Sequence, residues 1–282
     1  LSFLKRIVVF DSFSKEEENV VSWERFIGPV KEDDVKTQSI FQSLVDQVSL
    51  DDLATIIYTS GTTGPAKGVM LSHRNFLVNC YDAREALPLN DTDLSLSFLP
   101  LSHVFERMGG YYLGLLCGSA IAYAENMNTV PENLLEVKPT IACAVPRFFE
   151  KMYARIRSEV DQGGVLAKAI FQWAVRVGSR SSQFRMKKKT LPLFLWIQHF
   201  AAQKLVYQKV YRKLGGRLRC FISGSAPLAK ELAEFFHSVG ILILEGYGLT
   251  ETSPVVSVNR MERFKFGSVG LPLRNVETKI TS

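Results

Sequence analysis

Short apolar runs alternate with helical patterns along this 282-residue chain, and no other feature constrains its fold as tightly. The runs at 53–58, 94–98, 120–124, 140–145, 218–222 and 241–244 are each strand-length and each followed by a loop. Strands separated by helices build an α/β fold, and the crossover a helix provides is what parallel pairing needs. We therefore expect layered α/β subdomains with largely parallel sheets. Helix starts are marked by Ser72 ahead of Phe76, Leu77 and Cys80, and by Pro227 in a first turn ahead of Leu228, Leu232, Phe235 and Phe236. Residues 1–10 read as a strand and 277–281 as an unfinished one, so a piece of a longer protein is expected.

A composition of 46% hydrophobic and 22% charged residues excludes a disordered or collagenous chain. The net charge of +6 is unevenly spread: residues 155–219 hold fifteen basic residues against only Glu159 and Asp161, about +13, which leaves about −7 elsewhere. No strand pattern falls between Arg155 and Gly215. That region reads as two or three basic amphipathic helices with a break at 183–192, where Lys187, Lys188 and Lys189 precede Leu191, Phe194, Leu195 and Trp196. The expected division is thus α/β parts at 1–154 and 218–282 around a basic helical insert at 155–217.

No signal peptide is expected. The longest uncharged stretch, 108–124, is shorter than the ~20 residues of a membrane span. It is interrupted by Gly109, Gly110, Gly114 and Gly118 and reads as buried helix, turn and strand. Cys80, Cys117, Cys143 and Cys220 lie far apart, giving neither a zinc ribbon nor a disulfide framework. A reducing, cytoplasmic compartment fits them, with a peripheral place at the inner membrane surface if the insert touches lipid.

The chemistry begins after the 53–58 run. Thr59, Ser60, Gly61, Thr62, Thr63, Gly64, Pro65, Ala66, Lys67 and Gly68 form a loop of hydroxyls and glycines closed by one lysine. Glycines let backbone N–H groups approach phosphate oxygens, hydroxyls add donors, and the ammonium supplies a point charge. A Walker loop would need Gly-Lys-Ser/Thr, whereas Lys67 stands between Ala66 and Gly68. The alternative is a flexible surface turn.

Tyr58 to Gly68 resembles the signature Tyr-Thr-Ser-Gly-Thr-Thr-Gly-x-Pro-Lys-Gly of the adenylate-forming superfamily of acyl-CoA synthetases, firefly-type luciferases and peptide-synthetase adenylation domains. The departure is the proline, one position early at Pro65. Two further motifs follow in that family's order. Leu99 to Arg107 contains His103, which alone reads as a helix-starting residue. In the resemblance it lies on the acyl side, and its His-x-x-Glu-Arg form is similar to the long-chain fatty acid branch. Then come Gly224, Ser225, Ala226 and Pro227, followed by Glu245, Gly246, Tyr247, Gly248, Leu249, Thr250 and Glu251. Both segments sit where open α/β sheets bind ligands, at strand carboxyl ends. A glycine turn at 267–272 also looks like the family's.

The resemblance implies that Gly224 to Pro227 border the adenine, that Tyr247 stacks on it, and that Thr250 touches the α-phosphate. It further implies that Thr59 and Glu251 hold Mg2+ with the nucleotide, and that Lys67, Thr250 and Glu251 are catalytic. The implied activity is a ligase: ATP and a fatty acid give acyl-AMP and pyrophosphate, and the acyl group then passes to CoA. A carboxylate with a pKa near 4.3 is already ionised at neutral pH, so the work is positioning and charge neutralisation. An acyl-AMP ligase serving a carrier protein, or a non-catalytic nucleotide-binding module, are the alternatives. The family's small C-terminal domain has no counterpart in the sequence, so the chain alone is expected to bind but turn over poorly. The basic insert reads as a solvated face or as a peripheral contact with an anionic membrane. No nucleic acid is expected, since no nucleic-acid-binding fold or aromatic platform accompanies the charge.

Overall fold

The computed structural model describes residues 7–10, 20–28, 35–59, 65–87 and 89–280. The chain divides into two compact units, 1–49 and 50–282. In the first, β1 (Ile7–Val9) pairs in parallel with β2 (Val20–Ser22). Ser22 caps α1 (Trp23–Ile27) by accepting the Arg25 N–H at 3.3 Å, and α2 (Val35–Asp46) completes the unit.

The second unit opens with β3 (Leu53–Thr59) and β4 (Lys67–Ser72), an antiparallel pair forming its own two-stranded sheet. This corrects the expectation that 53–58 joins the parallel sheet. Too few residues separate the two strands for a crossover, so the chain folds back on itself. Ser72 then caps α3 (His73–Ala86) in a reciprocal arrangement with Asn75, as its position predicts. After β5 (Leu94–Ser97), a π-helical segment, Glu106–Tyr112, runs into α4 (Leu113–Cys117). Next come β6 (Ala120–Tyr123), α5 (Val130–Val137) and β7 (Ile141–Ala144). The helical stretch consists of α6 (Pro146–Gln162), α7 (Gly164–Met186), α8 (Leu193–Ala202) and a π-helical segment, Gln203–Tyr207, leading into α9 (Gln208–Arg212). The chain ends with β8 (Cys220–Ser223), α10 (Lys230–Ser238), β9 (Ile243–Gly248), β10 (Val255–Val258) and β11 (Leu271–Pro272).

Seven strands form one sheet in the order β11-β10-β9-β8-β7-β5-β6. It is parallel from β6 to β9, with β10 and β11 antiparallel at one edge. Alternate residues of the central strands feed two cores. Ala142, Ala144, Phe221 and Ile243 pack with Phe149, Phe171 and Phe236 from α6, α7 and α10. Ile141, Cys143, Cys220, Ile222 and Leu244 pack with Phe76 and Cys80 of α3 and Leu113 of α4. A sheet buried on both faces explains why its strands read as unbroken apolar runs.

Several boundaries differ from the sequence reading. Position 155 lies inside α6, which starts at Pro146 because its apolar face, Phe149 to Ile156, continues across that point. α7 carries on to Met186, so the helical break narrows to 187–192. α10 begins at Lys230 rather than at Pro227, after a turn in which Ser225 takes a left-handed φ of 68°. Glu277–Ile280 form no strand, and Thr281 lies outside the described residues.

Candidate active site

The carboxyl ends of β8 and β9, with Ser95 and Leu96 of β5 and Ile141 to Cys143 of β7, border a cavity of about 630 Å³, within the range typical of small-molecule sites. Thr59 and Lys67, facing ends of the β3–β4 hairpin, border it, as do His103, Gly224, Ser225, Gly246, Tyr247, Gly248, Thr250 and Glu251. Ser60, Gly61, Thr62, Thr63 and Gly64 lie outside the described residues. Ala226, Pro227 and Glu245 are not among the lining residues. Glu245 is buried, and burial raises its pKa, partly offset by a hydrogen bond from the Leu228 N–H.

Each loop at the mouth is held by a specific device. Gly248 leaves no room for a side chain, because a Cβ there would run into the Pro254 carbonyl oxygen. Gly224 faces the Phe105 ring, which a Cβ would meet at 3.0 Å. Leu249 N–H donates to Thr252 Oγ1 at 2.9 Å, folding the turn that carries Thr250 and Glu251. Asn79, buried on α3, grips Val255 twice: Nδ2 donates to its carbonyl at 2.8 Å and Oδ1 accepts its N–H at 3.0 Å. Arg107 ties the His103 loop to the hairpin, donating to Leu101 O at 2.9 Å and to Thr55 Oγ1 at 3.0 Å. His103 starts its helix by accepting the Phe105 N–H on Nδ1 at 3.2 Å, leaving Nε2 for other partners.

The cavity changes character with depth. Lys67, His103, Tyr247 and Glu251 are exposed at the mouth, whereas Leu89, Leu96, Met108, Leu113 and Ile141 line a buried apolar interior. One charged group interrupts that interior. Glu106 is 1% exposed, and among the described residues neither carboxyl oxygen meets a donor at hydrogen-bond geometry. Burial pushes its pKa up to about 7, with the Ser97 hydroxyl offsetting only part of the rise. Gly110 leaves room for this carboxyl, since a Cβ there would displace Glu106 Oε1. The sequence reading missed Glu106 as a lining residue. Its signal was its place as the acid of the His-x-x-Glu-Arg form, between Phe105 and Arg107 and just ahead of the uncharged stretch that begins at Met108.

A magnesium ion that arrives with a nucleotide needs only one or two hard oxygen donors from protein. Thr59 and Glu251 border the same cavity and supply a hydroxyl and a carboxylate, so the residues present fit such an ion. Among the described residues, no group of three or more His, Cys, Asp or Glu could hold a metal unaided.

A largely parallel sheet with a cavity bordered by loops that follow its strands is the arrangement in which open α/β folds bind ligands. The AMP-binding enzyme family model matches residues 5–282, and the chain belongs to that family. Long chain acyl-CoA synthetase 4 of Arabidopsis thaliana is 33% identical over 99% of this chain and 42% of its own length. The Arabidopsis thaliana long-chain-fatty-acid–[acyl-carrier-protein] ligase AEE15, chloroplastic, is 30% identical over 86% of this chain and 36% of its own. A malonyl-CoA ligase solved with methylmalonyl-CoA and AMP shares the fold, with a TM-score of 0.58 at 18% identity over 95% of this chain and 46% of its own. The chain thus spans less than half the length of these relatives. No helix among the described residues is long and apolar enough to cross a membrane.

Proposed function

We propose that this chain carries the adenylate-forming site of an AMP-forming fatty acid CoA ligase acting on long-chain acids. The carrying observation is the cavity itself, whose mouth joins a cation, a carboxylate, hydroxyls and an aromatic ring to a buried apolar interior. Such a cavity suits an amphiphile with its carboxylate at the mouth and its hydrocarbon inside. Repulsion between that carboxylate and ATP is the obstacle, so charge neutralisation dominates catalysis. Lys67 offsets charge on the departing pyrophosphate, Thr250 contacts the α-phosphate, and His103 orients the acid. Tyr247 presents a flat face for adenine, with the 224–227 turn at its border. Mg2+, held by Thr59 and Glu251, would neutralise phosphate charge when bound. CoA is the proposed acceptor. A carrier protein is the second reading, because one relative bears that acceptor in its name.

The relatives matched are more than twice as long, so we infer that residues outside this chain complete the thioester step and that the chain alone binds adenylate but turns over poorly. The test is calorimetric titration with non-hydrolysable acyl-adenylate mimics of two, eight and sixteen carbons. Affinity rising with chain length supports the reading; affinity indifferent to the acyl group overturns the long-chain assignment.

The helical stretch is proposed to touch an anionic membrane surface. Leu193, Phe194 and Trp196 of α8 are 74%, 73% and 54% exposed, directly after Lys187, Lys188 and Lys189. Apolar side chains rimmed by lysines match an interface between acyl tails and anionic headgroups. Equal sedimentation with neutral and anionic vesicles, or none with either, would overturn this contact.

A further inference from the structure

A second cavity, of about 690 Å³, lies where the end of α7, the end of α10 and the turn at 261–264 meet. Its lining includes four cations, Arg185, Lys187, Lys188 and Arg263, against the single acid Glu262. Among the described residues none of the four makes an ion pair, although other cations of the helical stretch do, such as Arg155 and Lys213 with Glu159. The backbone brings these charges together. α7 ends in a turn in which Lys188 takes a left-handed φ of 52° and donates its N–H to Arg185 O at 2.9 Å. Arg260 and Arg263 exchange backbone hydrogen bonds at 3.2 and 3.0 Å, closing the opposite turn.

The cavity also has a fixed polar wall. His237 is 8% exposed, its ring 5.3 Å from Phe264 and from Phe266, with Nδ1 2.5 Å from Ser182 Oγ. Nε2 has no protein partner among the described residues. Burial and the Arg185 charge hold the histidine pKa down to about 4, so the ring is neutral. A neutral imidazole has one N–H and one bare nitrogen, so Ser182 Oγ and Nδ1 share one hydrogen bond and Nε2 offers either a donor or an acceptor to the cavity.

Four cations against one acid in a concave site, none of the four in an ion pair among the described residues, are the arrangement that binds an oxyanion. We propose that this second cavity binds a phosphate-bearing anion, at a site separate from the adenylate cavity. The same chemistry is offered by a soluble phosphate and by an anionic lipid headgroup. α8, with its exposed apolar face, follows Lys187 and Lys188 by a few residues.

The test compares the chain with its Arg185→Gln/Arg263→Gln variant, both in a Lys67→Ala background so that phosphate at the adenylate mouth does not contribute. Inorganic phosphate is titrated calorimetrically, and binding is measured to phosphatidylcholine vesicles with and without phosphatidylglycerol. A Lys209→Gln/Arg212→Gln variant on α9 controls for net charge, and thermal melts confirm folding. Binding of either probe that weakens at least about tenfold in the cavity variant, but not in the control, is the expected result. Phosphate alone would identify a soluble ligand, and anionic vesicles alone a headgroup. Binding of neither probe, no loss in the cavity variant, or equal loss in the control would overturn the site.

Discussion

The two cavities are of similar volume and opposite construction. The proposed adenylate cavity takes its polar groups from short loops at strand ends, each held by close local contacts: Gly248 against the Pro254 carbonyl, Gly224 against the Phe105 ring, Val255 by the Asn79 amide. The basic cavity takes its charge from long side chains at helix ends and in one turn, with only His237 rigidly placed. Groups that must meet a transition state gain from being held before it forms, whereas groups that attract an anion need only be near it. Substitutions at the first should therefore cost activity or stability, and at the second little besides ligand.

The largest effect is expected at Lys67. In the intact protein, Lys67→Ala should slow ATP–pyrophosphate exchange by about 10²–10³-fold, the loss seen when one preorganised charge-stabilising donor is removed. A change within a factor of about three would show that the lysine is not part of the mouth's machinery.

Glu106 sharpens the contrast, because the rigid cavity contains one group that resists being there. Its carboxyl is raised from 4.5 to about 7 in the folded chain, so the native state holds a proton that the unfolded state has released. The associated stability is full below pH 4.5 and is lost as pH rises through 7, a total of about 3 kcal/mol. Glu106→Gln should flatten the stability profile across that window in urea titrations. A profile with the same slope as the parent would assign the pH dependence elsewhere.

How much of this was legible follows from what each feature depends on. The parallel sheet was readable because burial on both faces imposes apolar runs, and Thr59, Lys67, Gly224 and Gly246 at the cavity's border because they stand in short motifs that follow or end such runs. Motifs of that kind are local. The antiparallel β3–β4 pairing depended on the shortness of the 60–66 connection, which the alternation pattern masked. The continuation of β9 through Gly246 and Gly248 depends on pairing with β10, which no local pattern announces. The basic cavity is less legible still, joining Arg185 to Lys188 with His237 and Arg263 through tertiary packing alone.

Asn79 tests whether the mouth is held from behind. Asn79→Ala removes both hydrogen bonds to Val255 and leaves a backbone N–H and carbonyl without those partners. A loss of about 2 kcal/mol in chemical denaturation is expected, with weaker binding of acyl-adenylate mimics because the Thr250–Pro254 turn is loosened. Unchanged affinity at reduced stability would separate the scaffold from the site.

The smallest effect belongs to the basic cavity, and its smallness is the point. Arg185 and Arg263 make no ion pairs among the described residues and line the same concave surface as Lys187 and Lys188, so their charges oppose one another in the absence of ligand. Arg185→Gln/Arg263→Gln should change stability by less than about 0.5 kcal/mol, and in the stabilising direction at low ionic strength. Raising salt toward 1 M, where the screening length falls to about 3 Å, should erase whatever difference remains. Urea denaturation at two salt concentrations measures both. Destabilisation by more than about 1 kcal/mol would mean that these arginines hold the fold together, and the two cavities would then differ in position rather than in kind.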